Sequence, residues 1–103
     1  MSKSRLELQT LLEQLVGPGV DVWFQEPENL KLSYPCVIFH RDSGISAHAD
    51  NKPYRHTTRY QLTVIDYDPD SIYPGLIETL PMCTFQRWFV KDRLNHNIYQ
   101  LYF

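Results

Sequence analysis

Apolar residues recur at helical spacing near the start of the chain, and elsewhere they mostly alternate or run together as strands do. Leu8, Leu11, Leu12 and Leu15 make one stripe of a helix over residues 4–16. Ser4 and Glu7 have the spacing of a capping box at its start. Gly17 and Pro18 punctuate its end. Val20–Phe24 reads as a short strand that stops at the polar stretch Gln25–Asn29. Tyr34–His40 reads as a second strand with Pro35 at its entry, and its continuous apolar run predicts a central position covered on both faces. Residues 41–57 are polar and contain Gly44 and Pro53, consistent with either a hairpin arm or a long exposed loop.

Arg59–Asp66 has the clearest alternation, with Tyr60, Leu62 and Val64 on one face and Gln61, Thr63 and Ile65 on the other. A second helix over 71–79 follows from Ile72, Leu76, Ile77 and Leu80, with Pro74 tolerated in its first turn and Pro81 closing it. Two strands, about 83–90 and 97–102, are joined by a polar turn over Lys91–His96. The expected order is α-β-β-(β)-β-α-β-β. This is an α+β fold of two helices packed on a mixed, mostly antiparallel sheet.

Composition narrows the classes of function. A chain of 103 residues fits one domain, here 1–103 with the polar arm at 41–57, and has enough surface to bury for one core. A net charge of −2 argues against a protein that works by neutralising many phosphates. Hydrophobic content of 43% argues against disorder. No apolar run is long enough to span a membrane, and the N-terminal segment has no signal-peptide core. Cys36 and Cys83 each lie among apolar residues and read as buried thiols of a reducing cytoplasm, not as a disulfide framework or zinc site.

Catalytic and metal motifs are not found by sequence. Asp66, Asp68 and Asp70 alternate like the start of a calcium loop, but an EF-hand would need Gly and Glu where Ser71 and Ile77 stand. The expected role of these carboxylates is to cap the second helix. His40, His48, His56 and His96 match no metal or catalytic spacing. His48, Asp50 and His56 would cluster only if the arm folded back. No nucleophile elbow or phosphate-binding loop is present. The expectation is a protein without catalytic residues, metal or cofactor.

What remains is a surface for contacts. Arg41, Lys52, Arg55 and Arg59 lie within nineteen residues, interleaved with Tyr54 and Tyr60. Such a mixture suits single-stranded nucleic acid, or more readily a protein interface. Asn97–Phe103 is apolar to its last residue and must pack on its own sheet or on a neighbour. Trp23, Phe24, Phe85, Trp88 and Phe89 exceed what one small core requires, so some are expected to face another subunit.

Three stretches, Tyr34–Phe39, residues 49–71 (ADNKPYRHTTRYQLTVIDYDPDS) and residues 80–103 (LPMCTFQRWFVKDRLNHNIYQLYF), resemble the small tail terminator, or tail completion, proteins of long-tailed (siphovirus-type) bacteriophages. The resemblance implies a virion structural protein of the neck, assembled in the bacterial cytoplasm. It would form a homo-oligomeric, hexameric ring capping the tail tube, ending polymerisation and joining tail to head. Implied partners are copies of itself, the major tail tube protein and head-completion proteins, with passing DNA contacted non-specifically in the lumen and no membrane. The family supplies no catalytic residue. The interface residues inferred here are Arg41, His48, Lys52, Tyr54, Arg55, Arg59, Trp88 and Tyr102. The alternatives are another neck component, such as a head-completion or adaptor protein, and a small nucleic-acid-binding regulator acting through Arg41, Arg55 and Arg59.

Overall fold

The computed structural model describes residues 5–25, 32–42 and 58–103. Ser4 of the expected capping box lies outside these residues. So do 43–57 of the polar arm, including His48, Lys52, Tyr54 and Arg55, and the optional strand expected there. The elements run α1 (Arg5–Val16), β1 (Asp21–Phe24), β2 (Cys36–Arg41), β3 (Arg59–Asp66), α2 (Tyr73–Ile77), β4 (Cys83–Lys91) and β5 (Leu94–Tyr102). The fold is α+β. One five-stranded sheet has the order β1-β2-β3-β5-β4, with β1 parallel to β2 and every other neighbour antiparallel.

One face of the sheet carries both helices. Leu8, Leu12 and Val16 of α1, and Ile77 of α2, pack on Val37 and Phe39 of β2, Tyr60, Leu62 and Val64 of β3, and Tyr99 and Leu101 of β5. Gly17 ends α1 with φ +86°, its N–H donating to the Glu13 carbonyl at 3.0 Å, a conformation an L side chain adopts only at a cost. On the opposite face a smaller cluster of Cys36, Ile38 and Ile65 is covered by Trp23, Leu32, Tyr34 and Leu94. This double cover is why Cys36–Phe39 is buried at four successive positions. The C-terminal strand lies inside the sheet, between β3 and β4. Thr58 and Phe103 exchange backbone hydrogen bonds of 3.0 and 2.9 Å at its end.

Several boundaries differ from expectation, each for a local reason. The last connection is a two-residue turn in place of a polar stretch to His96. Asp92 (φ 55°) and Arg93 (φ 66°) are both left-handed, as a type I′ hairpin requires, and Lys91 already pairs with Leu94. His96 therefore sits within β5, its ring stacked on Phe89 at 4.6 Å. α2 is shorter than the expected 71–79, because Glu78 closes the last helical turn. The aspartates do not cap it. Asp66 Oδ1 accepts from the Asp68 N–H (3.3 Å) and Asp68 Oδ1 from the Asp70 N–H (2.8 Å), so the carboxylates fold their own turn. Ser71 Oγ, not a carboxylate, accepts from the Tyr73 N–H at 3.3 Å. No disulfide forms. Cys36 is buried as expected, but Cys83, on the outermost strand, is only half-buried.

Candidate interaction surfaces

The two edges of the sheet differ in length and in how they are finished. β1 is four residues long and flanked by α1, whose Gln9 Nε2 donates to the Val22 carbonyl at 2.9 Å. β4 is nine residues long, and among the described residues no element covers its outer side. A bulge between Phe85 and Arg87 changes its alternation. Cys83 and Phe85 face the helical side before the bulge, and Trp88 and Val90 face it afterwards, while Arg87 and Phe89 point to the other face. Cys83 packs against the main core, and the Phe85 ring meets the core residue Tyr99 edge-on, with ring centres 5.6 Å apart. Phe85, Trp88 and Val90 stay 50%, 54% and 53% exposed.

Trp88 is exposed yet fixed. Its Nε1–H donates to Asn95 Oδ1 at 3.3 Å. Asn95, the one buried polar residue of the described core, donates through Nδ2 to the Tyr67 carbonyl at 3.2 Å, with the Asp66 carbonyl at 3.4 Å. A large aromatic ring held by a buried amide loses little freedom on contact, which suits an interface anchor. On the opposite face the Arg87 guanidinium lies over the Phe89 ring, 5.6 Å from its centre.

At the opposite edge, α1 and β1 enclose a groove of about 480 Å³. Trp23 and Phe24 contribute apolar lining over the buried Val20 and Val22, and Glu13 and Asp21 contribute carboxylates. The Arg5 guanidinium lies 4.5 Å from the centre of the Phe24 ring.

The interface residues expected from sequence divide between two places. Arg41, Arg59 and Tyr102 come together where the arm leaves the sheet: Arg41 pairs with Tyr60, and Arg59 with Tyr102. Arg59 forms an ion pair with Asp42 at 3.2 Å. Hydrogen bonding to Tyr102 and the Asp42 carboxylate hold its pKa above the ordinary arginine value, against the opposing effect of burial. Its charge is thus largely answered within the chain, which weakens the reading of this cluster as a phosphate-binding patch. Trp88 lies apart, on the outer strand. Phe85 of that strand was expected only as one of the aromatics in excess of the core, and Val90, half-exposed beside it, was not among the expected interface residues. The sequence signal for Val90 is weak, because the bulge resets which residues of the strand share a face.

The remaining polar groups are tied to one another. Gln61 Nε2 donates to His40 Nε2 (3.2 Å), leaving the His40 Nδ1–H for the Arg41 carbonyl (3.2 Å). Gln86 donates to Gln100 (3.0 Å), and Gln100 to the Tyr102 hydroxyl (3.3 Å). Tyr99, buried beneath α2, donates to Glu78 Oε2 at 2.7 Å, and burial followed by that carboxylate raises its pKa. The same two causes push the Cys83 thiol up to about 11, so it is protonated and a poor nucleophile near neutrality. Among the described residues no group of three potential ligands could hold a metal ion, and no helix is long and apolar enough to cross a membrane. Comparison with protein-family models, with curated proteins and with solved structures finds no match to this chain.

Proposed function

We propose that this protein is a tail terminator of a long-tailed bacteriophage, a ring-forming structural component that caps the tail tube and presents a surface for the head. The observation that carries the reading is the β4 edge: three apolar side chains half-exposed along nine residues, one of them an aromatic ring fixed by a buried amide. An edge like this is a liability for a solitary molecule and an asset for one that works by fitting against neighbours. The α+β fold agrees with what the resemblance implies.

Deleting the gene from the phage that encodes it tests the proposal. Electron microscopy should then show tails of uncontrolled length without joined heads, restored to normal by supplying the protein in trans. Normal tails joined to heads in the deletion strain would end this reading.

A further inference from the structure

The two edges of the sheet differ in their capacity to take another strand. β1 is four residues long, and its Val22 carbonyl already accepts from Gln9. Along the nine residues of β4, no described residue lies beside the outer N–H and C=O groups. We infer that this edge pairs antiparallel with β4 of a second copy, about a two-fold axis at Trp88, making the free protein a reversible dimer. The inference rests on the terminator reading for its setting: the pair covers the working edge until a tail tube is met.

The order of residues along β4 selects both the occupant and the register. A two-fold axis perpendicular to the sheet joins like face to like face, so one residue must stand opposite its own copy. Centred on Arg87, the axis sets two guanidiniums against each other. Centred on Phe89, it sets Arg87 against Lys91 twice, and like charges directly opposite are unfavourable. Centred on Trp88, neither clash arises. Arg87 then faces Phe89 of the second copy, the kind of ring its guanidinium already approaches within the chain at 5.6 Å. On the helical side Trp88 meets Trp88, each indole already held by Asn95. One step further out the bulge decides the match. It takes Gln86 out of the alternation, with its amide bonded to Gln100. Val90 therefore stands opposite Phe85 of the second copy, and Lys91 opposite Thr84. Phe85, Trp88 and Val90 thus meet Val90, Trp88 and Phe85. Both faces of the strand are self-complementary under one rotation, as an isologous contact requires. Half-exposure of two rings and a valine leaves roughly 300 Å² per copy for burial besides the backbone, the scale of a weak and reversible pair.

Sedimentation equilibrium and amide hydrogen exchange at low and high protein concentration test this. The wild type should reach two copies and stop there, half-associated between about 1 μM and 1 mM. Exchange should slow with concentration along β4 and stay unchanged along β1. Thr84 and Trp88 are exposed, so variants at either should keep the fold, as checked by circular dichroism. Thr84→Glu sets a carboxylate against Lys91 of the second copy, twice per pair, and should tighten association about threefold. Thr84→Lys should weaken it by about the same factor, and Trp88→Ala about tenfold. A wild type that stays monomeric up to about 1 mM would overturn the proposal, as would slowed exchange at β1 in place of β4. Folded Thr84 variants that shift association in the same direction, or not at all, would overturn it too. The two readings fail separately. Closed hexamers of the free protein would sink the pair and leave the terminator standing, whereas pairing at β4 by a protein whose deletion leaves normal tails joined to heads sinks the terminator alone.

Discussion

At the scale of single residues, two positions in the β4–β5 hairpin set how rigidly the outer edge is held. Arg93 occupies a left-handed conformation (φ 66°) that costs an L side chain about 1–2 kcal/mol. Glycine meets no such penalty there. Arg93→Gly should therefore raise the urea midpoint by the equivalent of roughly 1 kcal/mol, net of the greater freedom glycine gains in the unfolded chain. Asn95 has the opposite character. Replacing it by Ala removes two part-buried hydrogen bonds, the acceptor of the Trp88 N–H and the donor to the Tyr67 carbonyl, and leaves a gap where the buried amide stood. The expected loss is about 1–3 kcal/mol, read by thermal or urea unfolding. The same variant should shift tryptophan emission to the red as the freed Trp88 ring meets more water, a change that Arg93→Gly would not produce.

At the scale of elements, α2 is a short helix held down by what lies under it. Tyr99 reaches up from β5 to Glu78, and Cys83 sits beside the same carboxylate. Both groups have pKa values raised by folding, so the unfolded chain releases their protons first as pH rises. The stability they contribute is complete below pH 9 and declines from there, the Cys83 part being lost by about pH 11 and the Tyr99 part continuing higher. Cys83→Ala should flatten the fall in stability between pH 9 and about 11, and Tyr99→Phe should flatten the steeper region above it, as measured by urea unfolding across that range. The elements themselves were largely legible, because helix and strand periods are local: α1 and β3 follow their apolar spacing almost to the residue. The bulge was not legible, since Gln86 carries no sequence mark of an unpaired position. Nor was the type I′ turn, built from Asp92–Arg93 without the glycine that normally signals it. Of the contact surfaces, the aromatic excess that pointed to Trp88 was readable. That β4 and β1 are the two edges was not, because strand order is set by pairings far apart in the chain.

At the scale of the whole molecule, the question is which force holds one copy to the next. Phe85, Trp88 and Val90 are 50%, 54% and 53% exposed on one face of β4, whereas Arg87 and Lys91 leave the strand on the other. A contact through the apolar strip is held by burial, which is indifferent to screening and at high salt slightly strengthened. Raising NaCl from about 50 to about 500 mM should therefore leave wild-type self-association unchanged or slightly stronger. The Trp88→Ala protein should associate about tenfold more weakly at every salt concentration, because its ring is the largest apolar group of the strip. Analytical ultracentrifugation at several salt concentrations reads both effects. Association that falls steeply with salt, or that Trp88→Ala leaves unaltered, would mean that charged groups elsewhere on the molecule choose the partner.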